Sequence, residues 1–139
     1  MRKLLFDTNF IVAYVLASDA IHQRAIDLED KEDILNNELY ITNHIIDEVV
    51  TIIGQKASPK DAIDVYRLMK DNFIIINEYE VFDFNDKVMS RYNNMNDSGN
   101  QRIGFTDCSI IEVAKLYDLD AVVTFDKAFE ENGDIEIIS

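Results

Sequence analysis

Several residue types are scarce in this chain of 139 residues, and each scarcity excludes a class of protein. The single cysteine, Cys108, cannot form an internal disulfide and lies in no Cys or His cluster that could bind zinc. One proline and four glycines, without a low-complexity tract or an internal repeat, argue against a linker or a disordered segment. We therefore expect one compact domain over residues 1–139, in a reducing cytoplasm.

Long apolar runs are also missing. Residues 1–17 resemble a signal peptide, but Asp7, Thr8 and Asn9 interrupt the apolar run and no small-residue cleavage site follows. No other run approaches the roughly 20 apolar residues that a membrane-spanning helix needs. We interpret the N-terminal segment as the first strand and helix of a soluble protein that does not contact a membrane.

Positive charge is scarce as well. The chain has 13 Lys and Arg against 27 Asp and Glu, which gives a formal net charge of -14. This balance argues against binding nucleic acid through a broad basic face, because phosphate affinity comes mainly from Lys and Arg. It does not exclude a nuclease whose metal ions hold the scissile phosphate, since some of the acids would then be metal ligands.

The apolar residues that are present form short runs alternating with amphipathic stretches, a pattern typical of parallel strands joined by crossover helices. The pattern predicts strands at residues 3–6, 39–41, 73–76, 121–124 and 135–138. It predicts helices at residues 11–16, 21–28, 44–55, 59–69, 83–92 and 106–117. We therefore predict an α/β domain with a short central parallel sheet of about five strands.

Capping signals mark two of the helix starts, and one stretch has the composition of a loop. Ser58 followed by Pro59 predicts an N-cap and the first helical position. Thr106 or Asp107 is expected to cap the helix near the C-terminus. Residues 93–102, rich in Asn, Ser and Gly, are predicted to form a loop.

Three carboxylates lie at junctions between these elements. Asp7 directly follows the first strand, Asp126 follows the strand that ends near Thr124, and Asp107 opens a helix. Ligands of open parallel sheets bind beyond the carboxyl ends of the strands, so adjacency of the first and fourth strands would bring Asp7 and Asp126 together. A carboxylate is costly to bury unless a cation or hydrogen bonds compensate it. The pattern therefore predicts a shared metal site.

The acidic helix at residues 44–55 offers a fourth ligand, either Asp47 or Glu48. The two are about 100° apart around the helix axis and cannot both face one site. Asp47 lies on a polar stripe with Asn43, whereas Glu48 lies between Ile45 and Ile52 on the inward face. We therefore predict that Glu48 faces the site.

Four short motifs, in this order, resemble the PIN domain family of metal-dependent ribonucleases, which includes the VapC-type toxins of prokaryotic toxin-antitoxin pairs. The resemblance covers essentially the whole chain. The motifs are Asp7-Thr8-Asn9, Thr42 with Glu48, Phe105-Thr106-Asp107, and Thr124-Phe125-Asp126-Lys127-Ala128-Phe129.

The resemblance implies a three-layer α/β/α fold and a metal-dependent endoribonuclease. It also implies that four acids bind Mg²⁺ or Mn²⁺ and hydrolyse RNA, namely Asp7, Glu48, Asp107 and Asp126. Asn9 and Thr106 fall where the family often has supporting polar side chains. A small antitoxin protein and a homodimer are further expectations that rest on the resemblance alone.

The chemistry of the acids agrees with this interpretation. Hard oxygen ligands select Mg²⁺ or Mn²⁺ over zinc, and one or two such ions can activate a water for attack on phosphorus. Arg102 and Lys127, close in sequence to Asp107 and Asp126, are candidate contacts to the RNA phosphates. His44, four residues before Glu48 on one helical face, could be a metal ligand or base, but it is expected to cap its helix or to be solvated.

Other side chains receive structural interpretations. His22 is expected at the surface. Four aromatic residues at helical spacing are expected to lie mostly in the core, although they could stack RNA bases. They are Phe82, Phe84, Tyr92 and Tyr117.

Three other functions stay open. A PIN-like processing nuclease would share the site but need no antitoxin, and a non-cleaving module would bind RNA or protein without using the acids. A phosphatase-like enzyme could use Asp7 as a covalent nucleophile. Enzymes of that kind usually carry a second Asp two positions further on, where this chain has Asn9.

Overall fold

A computed structural model describes residues 1–97, 102–132 and 134–139 of the chain. Within these residues there are five strands and six α-helices. The strands are β1 (Lys3–Phe6), β2 (Glu38–Thr42), β3 (Ile74–Ile76), β4 (Ala121–Val123) and β5 (Glu136–Ile138). The helices are α1 (Thr8–Val15), α2 (His22–Glu32), α3 (Asn43–Lys56), α4 (Pro59–Asn72), α5 (Phe84–Asn96) and α6 (Phe105–Leu116).

The strands form one parallel sheet in the order β3-β2-β1-β4-β5, which confirms the predicted fold class. β1 lies at the centre, where Leu4 is paired with Leu39 of β2 and with Ala121 of β4. Successive residues of a strand point to opposite faces, and every residue of β4 is buried. Helices therefore cover both faces of the sheet, in three α/β/α layers.

Helix boundaries differ from the predictions by up to four residues, at the start of α1 and at the ends of α2, α4 and α5. α1 begins at Thr8, three residues early, because the Asp7 side chain accepts a hydrogen bond from the Thr8 backbone N–H and caps the helix. α5 continues to Asn96, so the predicted loop is wrong at residues 93–96. The Asn96 side chain bonds the Tyr92 carbonyl and both backbone groups of Ile103, which satisfies the end of the helix. Residues 98–101 of that predicted loop lie outside the described part.

One of the two predicted caps is confirmed. Ser58 accepts a hydrogen bond from the Asp61 N–H at 3.0 Å, with Pro59 in the first helical turn. The prediction that Thr106 or Asp107 caps α6 is wrong. The N-cap is Gly104, and Asp107 lies inside the first turn, where its carboxylate can reach back to the Gly104 backbone.

The core is continuous and apolar around β1 and β4, and Cys108 belongs to it as a fully buried free thiol. Burial raises the pKa of Cys108 to about 11, so the thiol stays protonated and packs as a small apolar group. In the described ranges, no helix is both long enough and apolar enough to cross a bilayer.

Candidate active site

Asp7 lies where β1 passes into α1, at the carboxyl edge of the sheet. Its side chain is 7% exposed, and its backbone N–H donates to the Val123 carbonyl at 3.0 Å, which fixes it against β4. Oδ1 accepts from the Thr8 N–H at 2.7 Å. Oδ2 accepts from the Thr124 hydroxyl at 2.7 Å and from the Asn9 amide at 3.3 Å. Both oxygens are therefore held by neutral donors.

Asn9 and Thr124 connect Asp7 to the segment that carries Asp126. The Asn9 Nδ2 donates to Thr124 Oγ1 at 3.2 Å, and the Asn9 Oδ1 accepts from the Phe125 N–H at 3.0 Å. Thr124 Oγ1 also accepts from the Asp126 N–H at 3.1 Å. This network sets the turn after β4, so the backbone at Asp126 is tied directly to the Asp7 side-chain partners.

Glu48 reaches the same region from α3. One carboxylate oxygen, Oε2, accepts from the Thr8 hydroxyl at 3.3 Å, and the other, Oε1, lies 2.8 Å from His44 Nε2. Glu48 is half-buried, while the neighbouring Asp47 is exposed. Of the two acids weighed from the sequence, Glu48 is the one that faces Asp7.

Asp107 enters from the first turn of α6. Beside it, Thr106 points elsewhere, because its Oγ1 lies 3.3 Å from His44 Nε2 and it lines a separate small cavity of about 70 Å³ with His44. Thr106 therefore contacts the site only through His44.

The four acids line one open cavity of about 360 Å³. Its described lining contains five carboxylates and one cation, and it includes Asp19 and Lys56 beside the predicted acids. The full set is Asp7, Thr8, Asn9, Val12, Asp19, Ile21, Glu48, Ile52, Lys56, Asp107 and Asp126. Arg102 and Lys127 are exposed and do not line this cavity. The structure therefore brings together the four predicted acids and Asn9, but neither predicted cation.

The acidic cavity is not the largest concavity. A more open one of about 670 Å³ lies beside α5, where Arg91 and Glu112 form an ion pair at 2.8 Å. That pair neutralises both charges. The smaller cavity is the better candidate for a functional site, because its described lining has five acids against one cation and includes Asp7 and Asp107, whose pKa values are raised.

Burial and mutual repulsion perturb two of the acids. Desolvation raises the pKa of Asp107 to about 6, and the charges of Asp126 and Asp7 contribute to that rise. Desolvation also raises the pKa of Asp7, against the lowering effect of its bonds from Thr124 and Thr8, while Glu48 adds to the rise. The clustered acids are therefore stabilised either by binding protons or by binding a cation.

The donor set fits a hard divalent cation. Carboxylate oxygens with threonine and asparagine side chains around them suit Mg²⁺ or Mn²⁺, and the described lining contains no sulfur ligand. Among the described residues, no three acids, histidines or cysteines are grouped closely enough to form a ready-made metal cluster. Mg²⁺ usually keeps several waters and takes only one or two protein carboxylates, so spaced acids of this kind suit it.

Two histidines and three aromatic residues differ from expectation. His44 neither caps α3 nor is simply solvated, because it contacts Glu48 and Thr106. His22 is half-buried, with Nδ1 2.6 Å from the Ala13 carbonyl. Of the aromatic residues expected mostly in the core, Phe84 is buried, but the other three are exposed, namely Phe82, Tyr92 and Tyr117.

Sequence reasoning set His44 aside and missed Asp19 and Lys56 as residues of the site region. A signal was available for Lys56, since His44, Glu48, Ile52 and Lys56 follow one another at four-residue spacing and share one face of α3. Asp19 lies in the connection between α1 and α2, and nothing in its sequence context marks it.

Fold and site together define an α/β domain with an acidic site at the carboxyl edge of a parallel sheet. The family model described as "PIN domain" matches residues 4–135. The chain therefore belongs to the PIN domain family, as its motifs suggested. A comparison with curated proteins gives no match.

Solved structures share the fold over nearly their whole length. The Mycobacterium tuberculosis toxin VapC20, described as cleaving the sarcin-ricin loop, has a TM-score of 0.77 at 16% identity, covering 98% of this chain and 99% of its own. DNA-bound VapBC from Salmonella typhimurium has a TM-score of 0.69 at 17% identity, covering 99% and 97%. A toxin-antitoxin complex from Klebsiella pneumoniae has a TM-score of 0.66 at 17% identity, covering 98% and 96%. At these identities the likeness concerns the fold.

Proposed function

We propose that this PIN domain protein is a metal-dependent endoribonuclease. The observation that carries the proposal is the convergence of four carboxylates, from four separate segments of the chain, on one cavity. The described lining of that cavity contains five acids, and Lys56 is the one cation in that lining that could balance their charge. A scaffold would gain nothing from such an arrangement, since replacing buried charges with apolar groups is often stabilising.

Each acid has a proposed role. Asp7 and Asp107, whose pKa values are raised, would be the direct metal ligands, while Glu48 and Asp126 would bind a second ion or hold its waters. A bound Mg²⁺ or Mn²⁺ would acidify a water and stabilise the charge that develops on the phosphate oxygens. Asn9 and Thr124 hold the Asp7 carboxylate in place, so no side chain of the protein needs to act as nucleophile.

Few cations are available near the site to contact the RNA phosphates. Lys56 is the best supported of them, because it lines the acidic cavity and makes no ion pair within the described residues. Arg102 and Lys127, proposed from the sequence, lie outside that lining and are weaker candidates.

We further propose that the protein acts as the toxin of a toxin-antitoxin pair in the cytoplasm. The solved structures named above include toxins in complex with antitoxins, and one is described as a toxin that cleaves the sarcin-ricin loop. An antitoxin partner and a homodimer are proposed on that likeness alone. A processing nuclease without an antitoxin is the alternative, and the genomic neighbour of the coding sequence would decide between the two.

The phosphatase-like alternative has less support. Asn9 stands where such enzymes usually carry a second Asp, and both ends of its amide are already used, by Thr124 and by the Phe125 backbone. Asp7 also accepts three hydrogen bonds, which reduces its power as a nucleophile.

The ends of the cleaved RNA test the proposed chemistry. Metal-activated water attacks phosphorus directly, so the products of an end-labelled RNA should carry linear monophosphates, without a 2′,3′-cyclic phosphate. Cleavage should require Mg²⁺ or Mn²⁺ and should fall at least about 100-fold in Asp7→Asn, whose fold should be unchanged by circular dichroism. Cyclic phosphate ends, or full activity of Asp7→Asn, would contradict the proposal.

A further inference from the structure

His44 occupies a position between two helices that carry site residues. Its Nε2 lies 2.8 Å from Glu48 Oε1, one turn along α3, and 3.3 Å from Thr106 Oγ1 of α6. Thr106 precedes Asp107, so one imidazole nitrogen is in reach of two elements that each supply an acid. The other face of Glu48 is in contact with Thr8, which follows Asp7.

The chemistry of the contacts fixes the direction of the hydrogen bonds. A carboxylate can only accept, so His44 Nε2 must carry a proton and donate it to Glu48. The same N–H is then directed partly toward Thr106 Oγ1, which accepts at the longer distance. With Thr8 donating to Oε2, both oxygens of Glu48 are held, and the carboxylate has little freedom to rotate.

A buried acid, Glu78, accepts a hydrogen bond from the backbone N–H of His44. Glu78 is 3% exposed, and its two carboxylate oxygens accept from the backbone N–H groups of Asn43 and His44, each at 3.1 Å. These N–H groups belong to the first turn of α3, where a negative charge is favourable. Glu78 therefore fixes the backbone from which the imidazole projects.

We propose that His44 is a positioning residue that orients the Glu48 carboxylate for cation binding. The inference rests on the proposed metal-dependent function and adds a residue to it. Partners that orient a metal ligand in this way typically affect metal affinity by about 10- to 100-fold when removed. His44 contacts no reacting atom in this assignment, because its Nε2 is occupied by Glu48 and Thr106.

Metal affinity, measured by calorimetric titration of the metal-free protein with Mn²⁺, tests the inference. We expect His44→Ala to weaken binding about 10- to 100-fold, and His44→Gln, whose amide can still donate to Glu48, to recover most of the loss. Asp47→Ala, an exposed acid on the same helix, is the matched control and should bind like wild type. Thermal melting of each variant in chelator shows whether the fold is retained.

A double-mutant cycle separates positioning of Glu48 from a general effect on stability. If His44 acts through Glu48, His44→Ala should cost little further affinity when it is added to Glu48→Ala, which removes both acceptor oxygens. Equal losses in both backgrounds, or His44→Ala binding as tightly as Asp47→Ala, would overturn the inference. If the wild-type protein itself binds no Mn²⁺, the proposed function fails together with the inference. Wild-type binding with an unchanged His44→Ala variant overturns the inference alone.

Discussion

At the scale of single residues, the site depends on how its carboxylates are compensated when no cation is bound. Asp7 has three hydrogen-bond donors around it, whereas among the described residues Asp107 has the Gly104 backbone alone to lower its pKa against burial and three neighbouring charges. Of these two acids, Asp107 is therefore the one whose charge is less well accommodated in the metal-free protein.

This difference predicts a pH dependence of the metal-free protein. The pKa of Asp107 is about 6 in the folded state, against an ordinary value of 3.8, so the folded state binds a proton more tightly than the unfolded chain. The stabilisation by that proton is complete below the unfolded pKa and is lost as the pH rises through about 6. In chelator, the Tm of the wild type should therefore fall by a few degrees between about pH 5 and about pH 7.

Asp107→Asn provides the control for that measurement. The variant keeps the side-chain shape but cannot titrate, so its Tm should change less over the same pH range than that of the wild type. The raised pKa of Asp7 acts in the same direction and would leave part of the slope. Identical dependences of Tm on pH for the two proteins would show that the titration of Asp107 does not affect stability, which would contradict its raised pKa.

At the scale of elements, α3 carries the largest share of the site. His44, Glu48, Ile52 and Lys56 follow one face of the helix, and Lys56 lies about 12 Å along the axis from Glu48. A distance of this size exceeds the reach of one phosphate. In the proposed RNA complex, we therefore expect Lys56 to contact a phosphate beside the scissile one rather than the scissile phosphate itself.

Salt dependence tests this contact. Removing one phosphate contact to single-stranded nucleic acid should lower the slope of log affinity against log salt by about 0.7 to 1. We expect Lys56→Gln to raise KM for RNA, leave kcat nearly unchanged and flatten the dependence of kcat/KM on KCl by that amount. Lys60→Gln, an exposed lysine of α4 outside the cavity lining, should behave like wild type. A Lys56→Gln slope equal to that of Lys60→Gln would exclude the contact.

Most elements could be predicted because their signals are local. The apolar run of β1 and the Ser58-Pro59 start of α4 are readable without neighbours. The end of α5 was not, since it depends on Asn96 bonding to Ile103 across residues that sequence composition assigns to a loop. A helix end that is set by tertiary hydrogen bonds, as at Asn96, is not readable from local composition.

The candidate site follows the same division. The positions of Asp7 and Asp126 at the carboxyl edge follow from the parallel topology, and Glu48 follows from helical periodicity. The contact of His44 with Thr106 joins residues 62 positions apart, and it requires the first turns of α3 and α6 to approach each other. Arg102 and Lys127 show the converse, because proximity in sequence to an acid did not bring either cation into the cavity.

At the scale of the whole molecule, the acids of the candidate site account for part of the net charge of -14. Five of the acidic residues surround one cavity, so a divalent cation would remove local repulsion as well as bind. A ligand that binds only the folded state stabilises it, by about 2.7 kcal/mol at a concentration about 100 times its Kd. The global stability should therefore report on the site.

Thermal melting with and without metal checks this. Millimolar Mg²⁺ or Mn²⁺ should raise the Tm of the wild type by about 10 °C over the value in chelator. Asp7→Asn should show little or no rise, because it loses a proposed ligand, while its Tm in chelator should match or exceed that of the wild type. An equal metal response in both proteins would argue against a cation held by Asp7.

The most direct test of the four-acid site compares two neighbouring acids of α3. The single-turnover rate of RNA cleavage in saturating Mn²⁺ should fall at least about 100-fold in Glu48→Gln and stay within about twofold of wild type in Asp47→Asn, because only Glu48 faces the cavity. Equal rates for the two variants, or a larger loss in Asp47→Asn, would contradict the account.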